Sequence, residues 1–222
     1  MTSGIAGSYR AVVFDLDGLL LDSEAVFRRA WQGAIRNFGH QIDDAYYATL
    51  IGRGVSISEG LVSERFAIDA AAFRSAWRAR HRAIIDGEGV PPRPGALALL
   101  DWLTEKRVPF AIATSSIRTD AEHALGELRA RFPVVITGDQ VTHGKPDPEI
   151  YLTAAAALGI TAERCIGLED SNPGLAAAHA AGMAAIMVPD LSPPTDASRG
   201  IAHGIFPSLV EAQAEIERLL SV

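Results

Sequence analysis

Asp15-Leu16-Asp17-Gly18 follows directly on the apolar run Ala11-Val12-Val13-Phe14, and this junction constrains the chain more than any other stretch. A short apolar run broken by charge and then by glycine reads as a buried strand emptying into a loop. In an open parallel α/β sheet, ligands bind beyond the carboxyl ends of the strands. Two aspartates at i and i+2 on extended backbone project to the same side, so both can address one ligand. Like charges this close coexist when a cation neutralises them or when one is protonated. The plain alternative is an Asp-Gly turn with two solvated acids. The rest of the chain decides between the two.

The remaining sequence divides into two patterns. From Ser23 to about Ile85 apolar and aromatic residues recur at three- and four-residue spacing, among them Phe27, Ala30, Trp31, Ala34, Ile35 and Phe38, then Phe73, Trp77, His81 and Ile84. That periodicity predicts helices throughout. The block ends in Gly87-Glu88-Gly89-Val90-Pro91-Pro92-Arg93-Pro94-Gly95, a breaker-rich crossing. Beyond it, strands expected over residues 109–114, 134–136, 165–168 and 184–188 alternate with helices over 95–106, 118–130, 148–158, 173–181 and 208–220. Alternation of this kind implies an α/β fold, a doubly wound parallel sheet of Rossmann type. Residues 1–22 and 93–222 would form that core. Residues 23–92 would form an inserted α-helical cap over the edge from which Asp15 and Asp17 project.

Composition narrows the function. A formal net charge of −7 argues against nucleic acid or an anionic membrane as the main partner. No apolar run approaches the ~20 residues of a membrane span, and the N-terminus has no signal-peptide pattern, so a cytoplasmic protein is expected. The single cysteine, Cys165, lies in an apolar run and reads as a small core residue. The chain has eighteen arginines but only two lysines, Lys106 and Lys145. Lys106 reads as a solvated helix-end cation; Lys145 sits in Gly144-Lys145-Pro146-Asp147-Pro148, where glycine and prolines fix the loop and aim the ammonium.

Each predicted strand ends in residues suited to phosphate or metal. Thr114-Ser115-Ser116 places hydroxyls before a helix whose free N–H groups favour an anion, although capping alone explains such a cluster. Glu169-Asp170-Ser171-Asn172 brings a second acid pair, with Ser171 or Asn172 also suited to cap the next helix. Asp15 and Asp170, with a backbone carbonyl near Asp17 and with Glu169, offer the hard oxygen ligands that Mg²⁺ prefers. Thr114 and Lys145 would hold phosphoryl oxygens while a carboxylate attacks phosphorus, and Asp17 is placed to protonate the leaving oxygen and then to activate water.

Together, Asp-Leu-Asp-Gly, Thr-Ser, Gly-Lys-Pro and Glu-Asp, in this order over nearly the whole chain, resemble the motifs of the haloacid dehalogenase superfamily in its phosphatase and mutase branch. The resemblance implies that Asp15 is the nucleophile, Asp17 the general acid/base, Thr114 and Lys145 the phosphate-binding pair, and Glu169 and Asp170 the metal-side acids. It also implies that the helical insertion is a small cap whose closure excludes water. Asp17 disfavours dehalogenation, which needs no leaving-group protonation. The absence of lysine between Asp22 and Pro92 disfavours Schiff-base chemistry in the cap.

The β-phosphoglucomutases remain the nearest alternative. They carry a cap histidine where this chain has Phe27, and a cap lysine with no counterpart here. Conversely, Ile51-Gly52-Arg53-Gly54-Val55-Ser56 resembles their substrate loop, which makes Arg53 a candidate substrate contact, with Ser115, Ser116, Arg118 and Asn172 as further candidates. His81, Trp77 and Trp31 read as cap packing, and His143 as a turn histidine. The expectation is a Mg²⁺-dependent phosphomonoesterase acting on a small phosphorylated metabolite such as a sugar or polyol phosphate, a monomer or weak homo-oligomer. A sugar phosphomutase is the first alternative, and a non-catalytic phosphometabolite-binding module the second.

Overall fold

The computed structural model describes residues 9–50 and 55–221. It separates into two compact units that part between Leu21 and Asp22 and between Val90 and Pro91.

The first unit is built on six strands: β1 (Ala11–Phe14), β2 (Phe110–Ala113), β3 (Val134–Ile136), β4 (Cys165–Glu169), β5 (Ala184–Met187) and β6 (Gly204–Ile205). Their spatial order is β3-β2-β1-β4-β5-β6, and every pairing is parallel. In this doubly wound order the connections diverge on either side of β1, so the crevice at the carboxyl ends of β1 and β4 is the expected ligand position. Register puts Phe14 level with Ile112 and Leu168. The residues that follow, Asp15, Ala113-Thr114 and Glu169-Asp170, therefore leave the sheet along one edge.

Strand side chains alternate between two faces. Ala11 and Val13 belong to a core with Ala111, Ala113, Tyr151, Ala154, Leu175, Ala178 and Met187. Phe14 points the other way, into edge-to-face contacts with Phe110 and Phe132 at 6.3 and 6.4 Å. The helices of this unit are α5 (Ala96–Glu105), α6 (Arg118–Leu125), α7 (Glu149–Ala157), α8 (Asn172–Ala180), α9 (Asp196–Ile201) and α10 (Leu209–Leu220).

The second unit contains α1 (Ser23–Ile35), α2 (Asp44–Leu50), α3 (Val55–Phe66) and α4 (Ala70–Glu88). Its core is aromatic: Trp31 meets Phe73 edge-on at 5.1 Å and Tyr47 at 6.3 Å, with Ile42, Leu50 and Val62 filling around them. The α1 and α4 helices approach so closely that a methyl group at Gly33 would lie 1.8 Å from Arg80 Nε.

Several expected elements shift. The helix read over 118–130 stops at Leu125, because Gly126 adopts φ +50° and the chain continues as a 3₁₀ turn through Arg131. The insertion is broken at Gly39, whose φ is +79°, before Asp43 accepts the Tyr46 N–H and starts α2. β6 and α9 lie outside the expected elements, and Asp196 opens α9 behind a Thr195 cap. No described helix is long and apolar enough to cross a membrane.

Candidate active site

Asp15 leaves β1 with its backbone N–H donating to the Leu168 carbonyl of β4 (2.9 Å), which seats its side chain beside the end of that strand. Lys145 reaches it from the loop between β3 and α7. Its Nζ donates to Asp15 Oδ1 and Glu169 Oε1, both at 2.5 Å, and to the Ala113 carbonyl at 3.0 Å, so all three ammonium protons are used. The loop that carries Lys145 is stiffened by Glu149, which accepts the backbone N–H groups of Thr142 and His143. His143 Nδ1 lies 3.2 Å from the same carboxylate, and Asp147 accepts the Glu149 N–H.

Glu169 is wholly buried. Its Oε1 accepts from Lys145 and from the Tyr151 hydroxyl at 2.6 Å, and its Oε2 accepts from Ser171 Oγ at 3.0 Å. Space for that carboxylate exists because residue 174 is glycine: a methyl group there would meet it at 2.0 Å. The Tyr151 ring also lies under Lys145 Nζ, 5.1 Å from centroid to nitrogen, a cation–π contact.

Burial governs the electrostatics. It pushes Asp15 well above the usual carboxylate range; Lys145 pulls it back, while Glu169 and Asp170 push it further up. Asp170 is raised to about 7, first by burial and then by the charges of Glu169 and Asp190. Burial alone would lower Lys145, but the carboxylates of Asp15 and Glu169 outweigh it and hold the ammonium charged. One buried cation thus faces three acids. Asp15, Glu169 and Asp170 each offer an oxygen, all within 4.8 Å of one another. An oxygen-only, acid-rich set with surplus negative charge fits a hard divalent cation such as Mg²⁺.

Asp17 occupies a different environment. Its Oδ2 accepts from Ser116 Oγ at 2.7 Å, with Thr114 Oγ1 at 3.4 Å, and Thr114 Oγ1 itself accepts the Ser116 N–H at 3.0 Å. The chain after Asp17 turns at Gly18, whose φ is +86° and whose N–H donates to the Leu21 carbonyl. Asp15 and Asp17, two positions apart, are therefore held by separate partners, the first by an ammonium and the second by hydroxyls.

The other expected contacts distribute unevenly. Ser115 is exposed, its backbone packed against Gly138. Ser116 meets Asp17 as described. The Arg118 guanidinium pairs with Glu122 at 3.3 Å, one turn along α6, rather than with the acid cluster. Asn172 is spent on the 193–198 segment: its Nδ2 donates to the Pro193 carbonyl, and its Oδ1 accepts the Thr195 N–H and the Ser198 hydroxyl. Ser171, rather than Asn172, caps α8. Arg53 lies outside the described residues.

In the helical unit the Phe27 ring stacks near His81 at 4.4 Å, and Trp31 and Trp77 are buried. Cys165 is a buried free thiol raised to about 11 by its burial. The sequence reading missed Tyr151, Asp190 and Arg93. Tyr151 falls at helical spacing among alanines and reads as core, and only the α7 register shows its hydroxyl aimed at Glu169.

Comparison with known proteins identifies similar chains and folds. The family description "haloacid dehalogenase-like hydrolase" matches residues 9–182. The chain is 37% identical over 177 residues to validoxylamine A 7'-phosphate phosphatase of Streptomyces hygroscopicus subsp. limoneus, covering 79% of this chain and 83% of that protein. It is 32% identical to the fructose-1-phosphate phosphatase YqaB of Escherichia coli strain K12, covering 81% of this chain and 96% of the relative. Among solved structures, a haloacid dehalogenase family hydrolase of Deinococcus radiodurans R1 with bound phosphate and sodium superposes with a TM-score of 0.81 at 29% identity, over 95% of this chain and 96% of that one.

Proposed function

The chain belongs to the haloacid dehalogenase-like hydrolase family and is a phosphatase, and we propose that it is a Mg²⁺-dependent phosphomonoesterase acting on a sugar or polyol phosphate through an aspartyl-phosphate. The observation that carries this reading is the separate seating of the two motif aspartates. Asp15 is gripped by Lys145 at 2.5 Å and lies among acids, whereas Asp17 hangs from the Ser116 hydroxyl at 2.7 Å. Neighbouring carboxylates in different environments can take different roles.

Asp15 is the nucleophile. Its carboxylate oxygen forms a bond to phosphorus as the bond from phosphorus to the leaving alkoxide breaks, and Asp17 gives that alkoxide a proton. Asp17, then deprotonated, takes a proton from the water that attacks the phosphoryl group, which frees Asp15 and inorganic phosphate. Lys145 and Thr114 hold the non-bridging oxygens, Lys145 as a point charge and Thr114 through its hydroxyl. Glu169, Tyr151 and the Ala113 carbonyl keep Lys145 in place. Asp15 and Asp170, with Glu169 beside them and the Asp17 backbone carbonyl, would hold Mg²⁺, which neutralises phosphoryl charge when bound.

The substrate class rests on the names of the relatives, one a phosphatase of validoxylamine A 7'-phosphate and the other of fructose 1-phosphate. The helical unit, residues 22–90, serves in this reading as the cap that selects the leaving group. The test is phosphate release from a panel of phosphorylated sugars, polyols, nucleotides and small acids, run with Mg²⁺ and with chelator, for the wild type and Asp15→Asn. We expect release from sugar or polyol phosphates that needs the metal and is lost in Asp15→Asn while its circular dichroism is unchanged. Retained hydrolysis by that variant would remove Asp15 as nucleophile. Isomerisation of β-glucose 1-phosphate without net phosphate release would move the chain to the mutases.

A further inference from the structure

Arg93 and Asp190 form an ion pair of 2.7 Å, with side chains only 21% and 11% exposed. Asp190 lies just past the end of β5, on the edge where β4 delivers Glu169 and Asp170. Arg93 follows the segment returning from the helical unit, where its backbone N–H donates to the Leu20 carbonyl (2.9 Å) and Pro92 bridges to Leu21. The two acids converge over Gly18: a methyl group there would lie 2.4 Å from Asp170 Oδ2 and 3.4 Å from Asp190 Oδ2. The φ of +86° and this crowding both require glycine at that position. With both oxygens that near one point, the Asp190 and Asp170 carboxylates are direct neighbours. Both members of the pair therefore stand beside the acid cluster without being among the three acids that would ligate a cation.

We propose that Asp190 supplies a further carboxylate to the field at the divalent-cation site, and that Arg93 sets how much of that charge the cation meets. The inference rests on the Mg²⁺ reading above. A charge within a few ångströms in a mostly dehydrated setting acts on a cation far more strongly than one across solvent. Removing the carboxylate must weaken cation binding, and removing the guanidinium must strengthen it. A pair that merely braced the loops would give the same sign for both losses, or no effect for either.

The experiment is isothermal titration calorimetry of Mg²⁺ into the phosphate-free protein, for the wild type, Asp190→Asn, Arg93→Met, Arg93→Lys and the double variant. Asp190→Asn should raise Kd roughly tenfold and Arg93→Met should lower it several-fold, with Arg93→Lys near the wild type and the double variant between the two single ones. Arg93→Lys keeps the charge, so it reports on the inference even where Arg93→Met folds poorly. Changes of the same sign in Asp190→Asn and Arg93→Met, or no change in either, would overturn the proposal while leaving the Mg²⁺ reading standing. A wild type that binds no Mg²⁺ would remove that reading and this inference together.

Discussion

In the α/β unit two buried carboxylates, Asp15 and Glu169, share one ammonium and lie beside a third acid, Asp170, whereas in the helical unit Glu59 is the one carboxylate buried among the described residues. Glu59 is fully accounted for. Burial pushes its carboxyl up, but the Arg74 guanidinium and the Trp77 indole N–H, at 2.7 and 2.9 Å, outweigh this and hold it low. The α/β cluster is not balanced in this way, since its acids outnumber its cation. A balanced buried charge secures packing. An unbalanced one stores a demand for a cation or a proton, and folding tolerates that demand only where binding or chemistry uses it.

Removing the cation from each arrangement breaks or sharpens this contrast. Lys145→Met leaves Asp15 and Glu169 buried without their partner. Turnover should fall by about 10²–10³ with loss of a charge aimed at the phosphoryl group. Stability in metal-free buffer should fall by about 3–5 kcal/mol, the cost of breaking a buried pair from one side. Urea unfolding with and without Mg²⁺, beside a phosphate-release assay, checks both. If the variant were as stable without Mg²⁺ as the wild type, the claim that the cluster is strained by excess negative charge would fail.

A smaller effect of the opposite character is expected from Glu59→Gln. The amide keeps an acceptor for Trp77 but loses the charge facing Arg74, so stability should drop by about 1–2 kcal/mol. Turnover at saturating substrate should stay at the wild-type value, because Glu59 serves packing within its own unit. A tenfold loss of kcat in Glu59→Gln would show that the helical unit's buried charge is tied to the chemistry after all.

The same contrast explains what could be read from the sequence. Asp15, Asp17 and Asp170 were legible because each follows a strand end, where a short apolar run followed by charge is a one-dimensional signal, and Lys145 because it is one of two lysines and sits in a loop fixed by glycine and prolines. Arg118 and Asn172 show the complementary case, since both have partners outside the acid cluster. Proximity in sequence to Thr114 and Asp170 says nothing about helix phase or local hydrogen bonding, and these sent the first to Glu122 and the second to the 193–198 segment. Asp190 could not be found by spacing, because its nearness to Asp170 depends on β5 lying beside β4. β6, only two residues long, has no periodicity to detect. The contacts that would choose a leaving group are set by side-chain placement rather than by motif, which is why the proposed substrate class leans on the names of relatives.

The weakest expected effect concerns a charge outside both clusters. Glu215 on α10 accepts from Arg218 at 2.6 and 2.8 Å and faces His203 Nε2 at 2.9 Å. The Arg218 hydrogen bonds, opposed by slight burial and aided by His203, lower its carboxyl from 4.5 to about 2. A carboxyl depressed in the folded state adds stability above its unfolded value, and that contribution is lost as pH falls through the folded one. The window therefore runs from about 4.5 down to about 2. Glu215→Gln should be slightly less stable than the wild type at pH 6, and the gap should close as pH drops through that window. Urea midpoints measured at pH 6, 4 and 2.5 would show it. The gap should be small, because partly exposed ion pairs contribute little, and it should not depend on Mg²⁺. A gap that changed with Mg²⁺ would mean that the charge on α10 is coupled to the site, and that the imbalance extends beyond the strand ends.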